Sequence, residues 1–174
     1  MTTNITSYLN DVDIESVGGL VQSVQAEPHR AHTTWAATVE WKGGFRSESR
    51  VRDFHPVQSD EPAGLGGTDT AANPVEQLLS AFGNCLAVGY AANASAAGVE
   101  ITNLRIELDG DLDLHTFLGL ADDGHAGFKG INARVHLELD AEPDQIEALH
   151  RKVIGTSPVG HTLSRAIPLE VTLV

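Results

Sequence analysis

The chain has 174 residues, of which 24 are acidic and 11 basic, so its formal net charge is −13. This length suits one domain with a sizeable core, and we expect a single domain over residues 1–174. An acidic surface repels phosphate groups, which disfavours nucleic-acid binding and docking on anionic membranes. The sequence shows no signal-peptide pattern and no run of about 20 apolar residues. A single cysteine excludes an intrachain disulfide, so we expect a cytoplasmic protein.

The first part of the sequence predicts a β-hairpin. Residues 1–28 alternate only weakly between polar and apolar, and Val17–Val21 suits either a short strand or a turn. Threonine, tryptophan and valine over residues 33–41 favour a strand, and Lys42–Gly44 favours a turn. Residues 45–54 alternate well enough to form the returning strand.

A loop is expected over residues 55–73. Its Gly64–Thr68 segment is rich in glycine but lacks the Gly-Lys-Ser/Thr ending of a phosphate-binding loop. We therefore interpret this segment as backbone that passes close to another group.

A long helix is predicted after this loop. Asn73 is a good N-cap, Pro74 suits the first helical position, and Glu76 completes a capping-box pattern. Apolar residues then recur at helical spacing, and alanines fill most other positions, so both sides of the helix are expected to be buried. Gly98 suits the C-terminal cap.

The remaining sequence predicts two strands, a helix and a final strand. Residues 101–115 and 131–139 alternate as strands, and a helix begins within residues 140–143. Ser157-Pro158 interrupts that helix, with a shorter helical turn to Ser164, and residues 167–174 read as a terminal strand. The order of elements predicts an α+β fold with a largely antiparallel sheet.

Three stretches resemble the OsmC/Ohr-like family of hydroperoxide-reducing thiol proteins. They are Gly66 to Leu86 around Cys85, Val99 to Gly110, and Ser157-Pro158-Val159 with the terminal strand. The resemblance covers about residues 33–174 and leaves residues 1–32 as an N-terminal extension. It implies an intertwined homodimer in which mostly antiparallel sheets wrap around central helices and the reactive sites lie at the subunit interface.

The resemblance also implies roles for particular residues. Cys85 matches the family's attacking cysteine, and Ser157 occupies the position where many members have a resolving cysteine. The family glutamate lies ten residues before the cysteine, where this chain has Val75. Glu76 lies nine residues before Cys85, which places it half a turn away on a straight helix. For the family's arginine, Arg46 is our first candidate, since it follows the predicted hairpin turn.

Two functions remain open from the sequence. The first is a one-cysteine, thiol-dependent peroxidase that reduces organic hydroperoxides, because the thiolate is the nucleophile in such chemistry. Without a second cysteine, an external thiol must reduce the sulfenic acid at Cys85, and no other cofactor is implied. The second is a non-catalytic protein of this fold that binds a small apolar molecule and has a buried, structural cysteine.

Other residue groups in the sequence carry side chains that could form a site. No metal site is expected, because the eight histidines lack typical ligand spacing; His29 with His32, and His55 with Asp60 and Glu61, are the nearest approaches. A catalytic pair of Ser157 and His161 is conceivable, although Ser157 reads better as a helix-end residue.

Two further groups share a predicted strand face. Trp35 and Trp41 favour core or dimer contacts over a ligand platform. Asp109, Asp111 and Asp113 favour a solvated strand edge over a cation site.

Overall fold

A computed structural model describes residues 8–174 of the chain. The polar residues 1–7, which contributed to our expectation of no signal peptide, lie outside the described part. The chain divides into two compact units: residues up to Ile14 together with Ser80–Val174, and Glu15–Leu79.

The structure contains helices and short or paired strands in mixed order. The α-helices are α1 (Ile14–Ala26), α2 (Pro74–Ala96), α3 (Leu114–Phe117), α4 (Pro143–Thr156) and α5 (Pro158–Ser164). The strands are β1 (Tyr8–Leu9), β2 (Val12–Asp13), β3 (Thr38–Trp41), β4 (Ser47–Arg50), β5 (Val57–Ser59), β6 (Ile101–Leu112) and β7 (Phe128–Leu139). Every strand pair among residues 8–174 is antiparallel, which confirms the predicted α+β class.

The core of the unit that contains Ser80–Val174 lies along one face of α2. Leu86 and Tyr90, one helical turn apart, pack with Val153 of α4 and are almost completely buried. Burying one such side chain stabilises a fold by roughly 1.5–3 kcal/mol. Around this cluster pack partly buried apolar side chains, which are Phe82, Ile101, Leu104, Ile106, Val135, Leu137 and Leu149.

The long hairpin β6–β7 supplies one wall of this core. Leu104 pairs with Leu137 and Ile106 with Val135, so apolar residues of both strands share one face. On the other face, Arg134 of β7 pairs with Asp109 of β6 across the strands. The alternation that predicts both strands is thus confirmed, with β7 beginning three residues earlier than expected. The predicted end of the first strand at His115 is wrong, because β6 ends at Leu112 and Asp113 caps the helix α3.

The ends of α2 form as the local sequence predicts. The backbone N–H of Asn73 donates to the Glu76 carboxylate at 2.8 Å, and the N–H of Glu76 donates to Asn73 Oδ1 at 2.9 Å. At the other end, Val99 N–H donates to Ala94 C=O and Gly98 N–H to Ser95 C=O, with Gly98 at φ +73°. This is the glycine-capped Schellman arrangement.

The expectation that both sides of α2 are buried is wrong for the single chain. Val88 is 69% exposed, whereas Tyr90 is completely buried. The side of the helix that carries Val88 therefore faces solvent in the described chain.

A small hairpin near the N-terminus is fixed to the same unit by a polar network. Asn10 turns the chain between β1 and β2, and its amide donates to Ser95 Oγ at 2.9 Å and Val99 C=O at 3.0 Å. Its Oδ1 accepts the backbone N–H of Ile101 at 2.7 Å. These bonds tie the chain to the end of α2 and the start of β6, which the weak alternation of residues 1–28 did not predict.

The unit Glu15–Leu79 contains the three-stranded sheet β3–β4–β5. The predicted hairpin is confirmed, with Gly43 and Gly44 both at positive φ in its turn. Its strands are shorter than the expected 33–41 and 45–54, since only Thr38–Trp41 and Ser47–Arg50 pair. The expectation of a strand or turn at Val17–Val21 is wrong, because these residues lie inside α1. Residues 55–73 are not all loop either, since Val57–Ser59 pairs along β4.

The buried carboxylate of Asp60 organises the segment after β5. It accepts the hydroxyl of Thr68 at 2.6 Å, the hydroxyl of Thr70 at 2.9 Å, and the backbone N–H groups of both and of Glu61. The Thr68 hydroxyl, first among these donors, holds the pKa of Asp60 well below its usual range.

The glycine-rich segment Gly64–Thr68 passes close to another part of the backbone, as expected from the sequence. A Cβ atom added to Gly67 would lie 1.8 Å from the carbonyl oxygen of Glu61. Only glycine fits at this position without moving the backbone.

Two expectations about apolar residues are corrected. Residues 167–174 form no strand in the described chain, and Leu169 and Val171 are 84% and 97% exposed. An isolated strand leaves its backbone groups without strand partners, so alternation alone does not produce one. Trp35 and Trp41 are 82% and 75% exposed and therefore not core residues; a dimer contact for them stays a prediction.

The C-cap of α2 gives a first prediction. Gly98→Ala is expected to lower the free energy of unfolding by about 1 kcal/mol, because alanine is strained at positive φ although nothing lies within 4 Å of its Cβ. Gly155→Ala in α4 is the matched control, since its Cβ also meets nothing and its φ is not in the strained region. Urea denaturation should show Gly155→Ala as neutral or stabilising; equal loss in both variants would contradict the cap assignment.

The Asp60 cluster gives a second prediction. Asp60→Asn is expected to lower the thermal midpoint at pH 7, because the amide cannot replace a carboxylate among these donors. Since the folded-state pKa is lowered, the stabilisation is present above the unfolded pKa of about 3.9 and is lost as pH falls further. The midpoint gap between wild type and variant should therefore narrow below about pH 4.

Exposed Asp53→Asn is the control for this experiment and should change the midpoint little at any pH. A gap for Asp60→Asn that is independent of pH would show that the carboxylate charge does not stabilise the cluster.

Candidate functional site

Cys85 lies on α2, beside the buried stripe of that helix. Leu86 points into the core, and the neighbouring position 85 is turned by about 100° from it. The Cys85 side chain is only partly buried. The packing of α2 therefore leaves the thiol at an opening instead of inside the core.

This opening is a groove of about 390 Å³ between α2 and the junction of α4 and α5. Its lining residues are Asn84, Cys85, Val88, Gly89, Ala92, Val153, Thr156, Ser157 and Pro158. None of these described residues carries a charge. The groove thus leads to the Cys85 sulfur, and it is lined mostly by apolar groups with a few polar side chains.

The side chain of Ser157 is within hydrogen-bond distance of the Cys85 thiol. Its Oγ lies 3.3 Å from Cys85 Sγ, within hydrogen-bond distance for sulfur, and Ser157 is 4% exposed. The two residues are 72 positions apart in the chain, so this contact is made by the fold.

The local sequence explains why Ser157 points there. Pro158 lacks an N–H and cannot continue α4, so the chain ends one helix and starts α5 at this residue. Ser157 is the N-cap of α5, and its Oγ accepts the backbone N–H of Gly160 at 3.1 Å. The interpretation of Ser157 as a helix-end residue is confirmed, and its hydroxyl is engaged with Gly160 and Cys85.

Of the predicted site residues, the structure brings Cys85 and Ser157 into contact. Glu76 and Arg46 make other contacts. Glu76 is the first-turn acid of α2, and its carboxylate accepts the N–H of Asn73. Arg46 lies in the turn between β3 and β4, where its Nε donates to Gly43 C=O at 3.4 Å. Roles for Glu76 and Arg46 at the thiol stay predictions, because both belong to the other compact unit.

Metal ligands do not cluster in residues 8–174. No group of three or more histidine, cysteine, aspartate or glutamate side chains is placed to hold an ion in that range. His29 lies on the surface near Glu27, and Asp60 is saturated by hydroxyl and amide donors. Asp109 pairs with Arg134, and Asp113 with Lys129.

A second, larger pocket was not predicted from the sequence. It has a volume of about 470 Å³ and lies between α2, β7 and the α4–α5 segment. Tyr90 at its inner side is fully buried and hydrogen-bonds through its hydroxyl to His150 Nδ1, with the two rings stacked at 6.1 Å. These residues are 60 positions apart and have no local pattern in common, so the fold alone reveals the pair.

No helix within residues 8–174 has the length and apolar character needed to cross a membrane. Comparison with the curated proteins finds no match to this chain.

Solved structures share this fold. An OsmC like protein from Mycoplasma pneumoniae is 19% identical with a TM-score of 0.66, and the match covers 76% of this chain and 88% of that chain. An organic hydroperoxide resistance protein OsmC from Legionella pneumophila is 17% identical with a TM-score of 0.57, and the match covers 76% of this chain and 91% of that chain. An organic hydroperoxide resistance protein from Elizabethkingia anophelis is 17% identical with a TM-score of 0.53, and the match covers 75% of this chain and 87% of that chain. At these identities the likeness establishes the fold.

The family comparison goes further than the fold. A family model described as OsmC-like protein matches residues 67–172, which is more than half of the chain and includes both Cys85 and Ser157. With the α+β architecture and the solved relatives, this match shows that the chain belongs to the OsmC-like protein family.

Proposed function

We propose that the protein is a one-cysteine, thiol-dependent peroxidase that reduces organic hydroperoxides at Cys85. The observation that supports this most directly is the contact of a partly buried thiol with the Ser157 hydroxyl at the edge of an apolar groove. Two of the structurally similar proteins are named organic hydroperoxide resistance proteins, which agrees with this chemistry.

The Ser157 hydroxyl can hydrogen-bond to the nucleophile of this reaction. The thiolate is the form that attacks, and it has no proton, so Ser157 is then the donor in the 3.3 Å contact with Cys85. Ser157 Oγ accepts the Gly160 N–H at the same time, which holds the hydroxyl beside the sulfur.

The proposed reaction balances with an external thiol. The Cys85 thiolate attacks one peroxide oxygen, the S–O bond forms, the O–O bond breaks, and the leaving alkoxide takes a proton to become the alcohol. The resulting sulfenic acid reacts with one external thiol to give a mixed disulfide and water. A second thiol then releases Cys85 as thiolate and leaves the external disulfide. Ser157 cannot take the place of the external thiol.

A homodimer in the cytoplasm is part of this proposal. Val88, at 69% exposure, borders the Cys85 groove, and the apolar residues of the C-terminal segment are exposed. A second copy that covers these side chains would remove them from water and close the groove. A reducing compartment would also supply the thiols that the reaction consumes. In such a dimer, Arg46 remains the proposed cation beside the thiolate.

A second candidate function is a binding protein in which Cys85 is structural. The observation in its favour is that no charged side chain lines the Cys85 groove. An apolar molecule that occupies the groove would then be bound without reaction, and the proposed peroxidase test separates the two functions.

Peroxide turnover is the third prediction. The purified protein is expected to consume cumene hydroperoxide with dithiothreitol or dihydrolipoamide as reductant, because Cys85 is the attacking group. Cys85→Ser should lose this turnover, since a hydroxyl is a far weaker nucleophile at neutral pH. Peroxide loss is followed over time with both reductants, and equal rates for wild type and Cys85→Ser would exclude the peroxidase and favour the binding protein.

A fourth prediction concerns the geometry between positions 85 and 157. Ser157→Cys is expected to form a disulfide with Cys85 under diamide, because the side-chain atoms already lie 3.3 Å apart and need to approach only slightly. Both free thiols should disappear in a thiol titration, while the protein stays one chain on a non-reducing gel.

Ser164→Cys is the matched control, since it also adds one thiol, but at the last residue of α5, whose hydroxyl donates to His161 C=O. It is expected to keep both thiols under the same conditions. Equal loss in the two variants would mean that the disulfide does not report the contact seen between Cys85 and Ser157.

A further inference from the structure

The larger pocket, between α2, β7 and the α4–α5 segment, is lined by apolar side chains and by a few polar ones. Apolar side chains of α2 and β7 form much of its wall, among them Phe82, Leu86, Ile131 and Val135. Its volume of about 470 Å³ lies in the range of small-molecule sites, which are mostly apolar with a few placed polar groups. The pocket therefore has the dimensions and the lining of a binding site.

One arginine and two histidines also line the pocket. Arg165, which follows α5, is exposed, and His161 is half-buried. His150 completes the set on α4. None of the described residues that line the pocket is acidic, although the chain as a whole carries a net charge of −13. A ligand that supplies acceptors suits these groups.

The Tyr90–His150 pair lies at the inner side of the pocket. Burial raises the pKa of Tyr90, and its hydroxyl is hydrogen-bonded to His150 Nδ1. Since these two groups bond to each other, the polar end of a ligand is expected at Arg165 and His161 instead.

Arg165 and His161 also lack acidic partners. In residues 8–174, no ion pair forms at either side chain, whereas Arg151 on the outer side of α4 pairs with Glu147. An arginine without a carboxylate partner at the open side of an apolar pocket can bind a carboxylate of a ligand through two parallel hydrogen bonds.

We propose that this pocket binds a small carboxylic acid with an apolar tail. The carboxylate pairs with Arg165 and His161 at the solvent side, and the tail lies along the α2 and β7 walls towards Tyr90. This site is separate from the Cys85 groove in its lining, apart from Ser157, which borders both. The proposal does not depend on peroxidase activity.

Calorimetric titration of the full-length protein tests this proposal with three probes that are each built on a straight chain of ten carbons. Decanoate is expected to bind below its aggregation threshold, while decanol and decyltrimethylammonium bind at least about tenfold more weakly, since they lack the anionic group. Arg165→Gln should weaken decanoate binding about tenfold, as expected for losing a charge-assisted hydrogen bond. Arg165 is exposed, so the variant is expected to fold, and circular dichroism checks this.

Arg151→Gln is the matched control, because it removes the same charge from a surface pair outside the pocket. It should leave decanoate affinity unchanged within about twofold. Cys85→Ser should bind like the wild type, so this result is distinct from the outcome of the peroxidase assay.

Three results would overturn the proposal. They are the absence of decanoate binding up to about 1 mM, equal affinity for decanoate and decanol, and equal weakening by Arg151→Gln and Arg165→Gln.

Discussion

The packing of α2 against α4 is the constraint on which the candidate site depends. Tyr90 and Leu86 are buried against Val153, which fixes the rotation of α2 about its axis. With that stripe in the core, Cys85 must lie about 100° further round, at the edge of the packed face. The thiol is therefore accessible because a neighbouring residue is buried, and a rotation of the helix would move both together.

The break between α4 and α5 completes this arrangement. Pro158 forces a new helix start, and Ser157 becomes its N-cap with a buried hydroxyl. The same hydroxyl meets Cys85, and the same residue borders both the thiol groove and the larger pocket. Two local rules, a proline that ends one helix and a serine that caps the next, thus position the group nearest to the sulfur.

Local signals in the sequence predicted the parts of the fold that depend on neighbours in the chain. The caps of α2 follow from Asn73, Glu76 and Gly98, whose backbone or side chains act within one helical turn. The alternation of β6 and β7 follows from burial on one face. The place of Ser157 at a helix end follows from Pro158, which restricts the backbone of the residue before it.

Features that rest on distant partners could not be predicted in this way. The hydrogen bonds of Asn10 join residues more than 80 positions apart, and Tyr90 meets His150 across 60 positions. Five donors converge on Asp60 from a segment that reads as loop. The C-terminal residues show the opposite error, because their strand-like alternation pairs with no strand in the described chain. In each case the local sequence pattern does not say which distant residue a group will contact.

The most direct test of the account is the intact mass of the protein after one equivalent of cumene hydroperoxide without reductant. We expect the wild type to gain one oxygen atom at Cys85, detectable as a dimedone adduct of the sulfenic acid, and Cys85→Ser to gain none. This measurement does not depend on the choice of reductant. Wild-type protein that remains unmodified while the peroxide persists would contradict the assignment of Cys85 as the nucleophile.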